Sequence, residues 1–247
     1  MLSAFIVFFI VVLGSLLQRV SGMGLGLIAA PVLSVLLGPI EGIMVLNVLA
    51  VVNAAITTGT VRQWVDWRMF SIISSVLVLG SIPAALLIRA VSAAWLMILV
   101  GALLLVALCV VTHGKRWVPQ FSGALPAAIS GVVGGFMNTI AGVAGPAITV
   151  YAAASRWEQR SYAATLQPIF IVSGLVSLIM KLVLGAGSVS GTPVQIWPVG
   201  VVAMLLGIYL GVRCATLIPR DKAHRLALIL ATAGGLSALI RGVLSLA

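Results

Sequence analysis

Residues 90–114 read AVSAAWLMILVGALLLVALCVVTHG, a run of 25 residues without a Lys, Arg, Asp or Glu. A helix needs about 20 apolar residues to cross a bilayer, so this run predicts a membrane-spanning helix. The runs 42–61, 69–88, 161–180 and 182–212 are likewise uncharged and are 20 to 31 residues long. The strands of a membrane β-barrel would alternate apolar and polar residues, and these runs do not. We therefore predict spanning helices near residues 41–61, 69–89, 93–112, 162–182, 194–217 and 223–243.

The composition of the whole chain is that of a polytopic membrane protein. Of its 247 residues, 62% are hydrophobic and 7% are charged, whereas about a quarter of the residues of a soluble domain are charged. The net charge of +10 does not indicate nucleic-acid binding, because the cations are scattered singly instead of forming one basic face. Cys109 and Cys214 both lie in apolar runs. The sequence therefore predicts no disulfide framework, no metal site and no cofactor.

Two apolar regions, residues 2–37 and 121–154, are interrupted by glycine and amide residues. The first interruption, at 18–26, reads QRVSGMGLG, and the second, at 138–146, reads NTIAGVAGP. Each interruption divides its region into two pieces, and the second piece is short. Residues 25–37, for example, would reach only about 20 Å as a helix. We predict that the short pieces are either thin, tilted spans or half-helices of a re-entrant hairpin.

The two interrupted regions also predict an internal repeat. A shift of 120 residues without a gap places Gly22 on Gly142. The same shift superimposes polar residues of otherwise apolar runs, namely Gln18 on Asn138, Asn47 on Gln167, and Asn53 on Ser173. Each copy continues into three further spans, so we predict repeats at 1–117 and 118–247. The predicted fold class is an all-α polytopic membrane protein with two inverted repeats, each consisting of a glycine-broken hairpin or short helix pair and three spanning helices.

The inversion is predicted from the charges of the connections. Nine of the fourteen cations lie in four of them, 62–68, 113–117, 156–160 and 219–225, which the positive-inside rule places in the cytoplasm. All four share one side only if region 121–154 crosses an even number of times, and by the repeat the same holds for region 2–37. The repeats are then inverted and both termini face the periplasm of a bacterial inner membrane. A parallel arrangement would instead place 156–160 outside. Lys181 and Arg241 are expected to anchor the opposite face.

The interruptions further predict an anion site. A helix that starts inside the membrane directs unpaired N–H groups and the positive end of its dipole at its surroundings, and glycine lets a ligand approach the backbone closely. Glu41 and His224 lie at the ends of predicted spans, and no carboxylate or histidine lies in the interior of one, which disfavours a proton relay and a cationic substrate. Close helix packing is the alternative role of these glycines. The candidate substrate-binding residues are Gly22, Gly24, Gly26, Asn47, Asn138, Thr139, Gly142, Gly145, Gln167 and Arg19.

Arg19 has two interpretations that depend on the first region. If residues 2–17 are re-entrant, Arg19 lies deep in the membrane and contacts the anion. If they cross fully, its side chain reaches the cytoplasmic interface by snorkelling.

The glycine-rich interruptions resemble the paired motif of the sulfite exporter TauE/SafE family of membrane permeases. In that family, a glycine run followed by small residues and Pro opens each half of the chain. Here the two copies read SGMGLGLIAAP at 21–31 and GGFMNTIAGVAGP at 134–146, with fewer consecutive glycines than the family pattern. The resemblance implies movement of sulfite or sulfur-containing organic anions across the inner membrane.

We therefore predict a secondary transporter for small anions, sulfite or organosulfonate-like, that works by alternating access around a midplane site. An enzyme would need a nucleophile with a base, or a metal cluster, and is not predicted. A passive anion channel that uses the same helix ends and a structural membrane subunit are the alternatives. The predicted partners are a small anion and the lipid bilayer but no nucleic acid, and the sequence leaves a homodimer open.

Overall fold

The computed structural model describes residues 2–21, 24–117, 119–214, 217 and 219–246. All regular elements of these residues are helices, and none is a strand, which confirms the predicted all-α class. The first half contains α1 (Leu2–Ser21), α2 (Leu25–Leu37), α3 (Pro39–Val61), α4 (Trp67–Ser75), α5 (Leu77–Ala90) and α6 (Ala93–Trp117). The second half contains α7 (Ala124–Ala141), α8 (Gly145–Ala154), α9 (Gln159–Val183), α10 (Ile196–Cys214) and α11 (Arg220–Leu244).

The long helices confirm the predicted spans. Within the described residues, 8 helical segments are long and apolar enough to cross a membrane. Six of them coincide with the spans predicted from charge spacing, including Trp67–Ala90, in which α4 and α5 follow one another. The other two are α1 and α7, the long pieces of the interrupted regions. By contrast, α2 has 13 residues and α8 has 10, both short of the roughly 20 that a span needs. The protein is thus a multi-pass membrane protein.

In the second half, α7 and α8 form a hairpin whose two ends lie on the same side. The N–H of Phe121, just before α7, donates a hydrogen bond to Ala154 O at the end of α8 (3.3 Å). The hydroxyl of Tyr151 donates to Gly123 O (3.3 Å). Residues 121–154 therefore enter and leave the bundle at one end, a geometry shared by a re-entrant hairpin and by two tilted spans.

The corresponding helices of the two halves start at equivalent positions. Leu25 and Gly145 open α2 and α8, and Pro39 and Gln159 open α3 and α9, so both pairs are separated by the 120 residues of the predicted shift. The packing partners also correspond. Helix α1 packs on α10 as α7 packs on α5, and α2 packs on α11 as α8 packs on α6. Two helices, α3 and α6, pack against their own counterparts, α9 and α11.

These self-paired helices run in opposite directions. Asp66, beyond the end of α3, donates its backbone N–H to Thr165 Oγ1 near the start of α9 (2.8 Å). Asn47, in the first half of α3, donates its side-chain amide to Ser177 Oγ in the second half of α9 (2.8 Å). Helices α6 and α11 are likewise antiparallel, because the start of α6 lies against Gly242 near the end of α11.

Basic connections adjoin one another at one end of the bundle. The Arg160 guanidinium lies 3.8 Å from the ring centre of Trp64, so the connections 62–68 and 156–160 are in contact. The two antiparallel pairs place the end of α6 and the start of α11 at a common end of the bundle. At the opposite end, Glu41 lies against Gly191.

The structure corrects the expectation for Lys181. Arg241 is exposed, as an interface anchor should be, but Lys181 is fully buried. The chain after α9 turns back beside it, since the N–H of Ala186 donates to Lys181 O (2.7 Å) and Gly187 packs against Met44. The expectation that Lys181 anchors the interface is therefore wrong.

Candidate functional site

A cavity of about 50 Å³ lies between the two glycine-rich interruptions. Two of its lining residues are Ala50 and Phe170, which lie at or within one residue of the centres of α3 and α9. The cavity is therefore halfway along the two long helices that join the halves. Since one water needs about 10–15 Å³, a cavity of this volume holds about three to five waters or one small oxyanion.

The two interruptions meet directly at this cavity. A Cβ atom added to Gly26 would lie 2.8 Å from Gly142 O, which is closer than such atoms approach without a shift of the backbone. Gly142 itself has a φ of 69°, and a Cβ there would lie 2.5 Å from Leu46 Cδ2. The absence of a side chain at Gly26 allows the two backbones to touch, and its absence at Gly142 makes room for Leu46 of α3.

Two helices begin at the cavity, α2 at Leu25 and α8 at Gly145. Their N-cap residues, Gly24 and Ala144, supply no side-chain cap, and the N–H of Leu25 is instead bound by Gln18 Oε1 (3.1 Å). The first turn of a helix leaves its N–H groups without helical partners, and each helix start carries about half a positive elementary charge. Two such starts direct backbone N–H groups at the cavity, beside the carbonyl end of α7, and no charged side chain of the described residues lines it.

Uncharged amides complete the lining and connect three helices. Asn138, on α7, donates its side-chain amide both to Asn47 Oδ1 on α3 (3.2 Å) and to Ser173 O on α9 (3.0 Å). Asn47 in turn donates to Ser177 Oγ (2.8 Å). All four residues are buried, so these hydrogen bonds hold the amides in fixed orientations. The arrangement offers neutral hydrogen bonds and backbone dipoles to an anion.

Most of the candidate residues lie together in the structure. Six of them line the cavity, namely Gly24, Gly26, Asn47, Asn138, Gly142 and Gly145. Gly22 lies outside the described residues.

Three further candidates lie outside the cavity lining. Arg19 belongs to the last turn of the unbroken helix α1 and donates from Nη1 to Thr60 Oγ1 (3.4 Å). Thr139 and Gln167 bond back to carbonyls of their own helices, Gly135 O (2.9 Å) and Ala163 O (3.4 Å). For Arg19 this geometry matches the interpretation in which the first region crosses fully.

Sequence reasoning missed several lining residues that the repeat could have found. The lining contains four pairs whose members are 120 residues apart, Gln18 with Asn138, Gly24 with Ala144, Gly26 with Pro146, and Ala50 with Phe170. Gln18 was recognised as an equivalent of Asn138 but not as a site residue. Apolar lining residues such as Ala50 have no chemical feature that identifies them in the sequence. Only the 120-residue shift, applied to lining residues already identified, would have indicated them.

Comparison with known proteins agrees with this architecture. A family model described as Sulfite exporter TauE/SafE matches residues 7–238, a range that includes both interruptions and every residue that lines the cavity. No curated protein and no solved structure matches the chain. The matched family consists of membrane permeases that export sulfite, in agreement with the spans and the resemblance described above. The chain belongs to the sulfite exporter TauE/SafE family.

Proposed function

We propose that this protein is a secondary transporter that moves small sulfur oxyanions, sulfite or short organosulfonates, across the bacterial inner membrane. The observation that carries the proposal is the central cavity, at which two interrupted regions from different halves of the chain bring two helix starts together. Membership of a family of membrane sulfite exporters supports the same substrate class.

The chemistry of the lining suits a pyramidal oxyanion. Sulfite and the sulfonate group each present three oxygen atoms, which accept hydrogen bonds but donate none when ionised. The cavity supplies backbone N–H groups at two helix starts and the second amide N–H of Asn47, whose first is donated to Ser177 Oγ. Since its volume is about 50 Å³, it fits sulfite or methanesulfonate better than a long-chain sulfonate. An anion held by dipoles instead of a fixed cation is released more readily, as a transporter requires.

The proposed mechanism is alternating access by inverted halves. The antiparallel packing of α3 on α9 and of α6 on α11 supports the inversion, because each pair consists of equivalent helices. The halves contact each other through small residues. Gly135 of α7 lies against Leu77 O of α5, and Gly207 of α10 lies against Val12 O of α1. Such close, flat contacts favour rocking of one half against the other around a central site.

In the proposed orientation the end that carries the basic connections faces the cytoplasm, and both termini face the periplasm. The contact of Arg160 with Trp64 supports a common side for the connections 62–68 and 156–160, in accordance with the positive-inside rule.

Flux of radiolabelled sulfite into proteoliposomes tests the proposal. We expect uptake that saturates with sulfite concentration and that unlabelled methanesulfonate inhibits, with protein-free liposomes as the control. Flux that rises linearly without saturation would favour a passive channel. Absence of flux for both anions would contradict the proposed function.

A further inference from the structure

One face of α9 carries a buried polar row that leads away from the cavity. Ser173, Ser177 and Lys181 are spaced by four residues, so they lie above one another on the same face. They are 1%, 0% and 0% exposed. Ser173 lines the cavity and Ser177 accepts the hydrogen bond of Asn47. Eight residues of helix separate Ser173 from Lys181, which places the lysine about 12 Å farther along the helix axis.

Lys181 ends this row without a partner for its charge. Its Nζ atom is buried and makes no hydrogen bond, and among the described residues no carboxylate forms an ion pair with it. The neighbouring Gly187 packs against Met44 and Ile40, so the surroundings are largely apolar. Burial of an ammonium group without a partner costs several kcal/mol. Neither an interface anchor nor a structural ion pair explains a lysine in this position.

Glu41 is the acidic residue next to Ile40, which packs together with Lys181 against Gly187. It lies in the first turn of α3, six residues before Asn47, and its carboxylate lies against Gly38 and Gly191. Glu41 therefore compensates the lysine only from a distance in this conformation.

We propose that Lys181 is a second anion-binding position on the transport route, between the central cavity and the end of the bundle opposite the basic connections. The anion leaves the cavity, passes the hydroxyl of Ser177 and binds the Lys181 ammonium. Glu41 balances the lysine charge when the position is empty and lowers its affinity for the anion. This inference rests on the proposed transport function.

Cysteine labelling tests the position without relying on sulfite as the substrate. In a variant in which Cys109 and Cys214 are replaced by Ser, Lys181→Cys is exposed to the anionic reagent methanethiosulfonate ethylsulfonate, applied to proteoliposomes from the side opposite the basic connections. The matched control is Ile179→Cys on the same helix, a position that is 49% exposed on the outside of the bundle. We expect labelling at position 181 to be at least about tenfold faster than at 179. Equal or slower labelling at 181 would overturn the inference.

Charge removal gives a second readout that a purely structural lysine would not produce. We expect Lys181→Gln to raise the KM of sulfite flux about tenfold, and Glu41→Gln to lower both KM and the maximal flux, because the anion is then held more tightly. Arg241→Gln, which removes an exposed cation, serves as the control and should leave both unchanged. A KM for Lys181→Gln equal to that of the control would contradict the inference.

The two failures are distinguishable. If the wild-type protein moves no sulfite, the transport proposal fails. The labelling rates still show whether position 181 is accessible to a small anionic reagent. If Lys181→Gln does not elute as a folded protein in size-exclusion chromatography, Glu41→Gln tests the same pair with the lysine in place, and an unchanged KM in that variant would overturn the inference.

Discussion

The contact between the two interruptions makes Gly26→Ala the most informative substitution. The added Cβ would lie 2.8 Å from Gly142 O and 3.4 Å from Val143 Cγ1. To reach an ordinary contact of 3.4 Å, the two backbones must separate by about 0.6 Å. The methyl group also enters a cavity of only about 50 Å³.

The expected cost to stability is small because two effects oppose each other. Replacement of Gly by Ala inside a helix stabilises it by up to about 1 kcal/mol. Overpacking of a close contact costs about 1–3 kcal/mol. The net loss in the free energy of unfolding is therefore about 0–2 kcal/mol, so the variant should still fold. Transport should suffer more, because the substitution displaces both helix starts from the anion, and we expect at least about a tenfold lower sulfite flux, equivalent to about 1.4 kcal/mol.

Gly59→Ala is the matched control for this experiment. Gly59 lies in α3, and a Cβ added there meets nothing within 4 Å. We expect Gly59→Ala to keep wild-type flux and an equal or higher melting temperature in detergent. Sulfite flux into proteoliposomes and thermal unfolding are measured for both variants. If Gly26→Ala transports as fast as Gly59→Ala, the interruptions do not form the site and the reasoning is refuted.

Four further substitutions test the lining and its support. Asn138→Asp removes two donated hydrogen bonds, worth about 1 kcal/mol each, and places a carboxylate near the anion. Repulsion between the two charges at about 5 Å and a dielectric constant of about 20 costs about 3 kcal/mol. Sulfite binding measured by isothermal titration calorimetry should therefore weaken by about two orders of magnitude, and unchanged binding would remove Asn138 from the site. Asn47→Ala should raise the KM of sulfite flux about fivefold, consistent with loss of about one hydrogen bond. Gln167→Ala should change this KM by no more than about twofold, because Gln167 does not line the cavity. A larger increase in KM for Gln167→Ala than for Asn47→Ala would contradict the described geometry. Gly142→Ala should lower the free energy of unfolding, measured by thermal or denaturant unfolding, by about 1–3 kcal/mol. Gly142 has a φ of 69°, a conformation that disfavours an L-residue by about 1–2 kcal/mol, and any steric clash of the new side chain adds to this cost. A melting temperature equal to that of wild type would show that the backbone relaxes freely.

The spans and the interruptions could be predicted from the sequence because each has a local physical cause. A charge-free run of about 20 residues has few alternatives to a spanning helix, and residues 93–112 fall in such a span. The end of α7 was likewise encoded locally. A hydrogen bond from Gly142 N–H to Asn138 O (2.9 Å) closes the last turn of α7. Pro146 fits the first turn of the next helix, α8.

The composition of the cavity could be predicted only in part, because it depends on how each helix is rotated. Asn47 and Gln167 are equivalent under the 120-residue shift, yet only Asn47 lines the cavity. Gln167 instead donates to Ala163 O on its own helix (3.4 Å). An Asn or Gln in the middle of an apolar helix indicates that its side chain is buried inside the bundle, but the sequence does not show which neighbouring helix it faces.

The burial of Lys181 could not be predicted from charge spacing. The residue lies two positions before the end of α9, where a lysine normally reaches the interface. Its burial results from tertiary packing, in which the segment after α9 turns back and Gly187 approaches Met44. Such long-range contacts leave no periodic pattern in the sequence.

The most direct test of the central site is an experimental structure of the protein with bound sulfite. We predict density for the anion between the starts of α2 and α8, within hydrogen-bonding distance of the Asn47 amide nitrogen and close to Gly26 and Gly142. Sulfite density elsewhere, with this cavity filled only by side chains or lipid, would contradict the account.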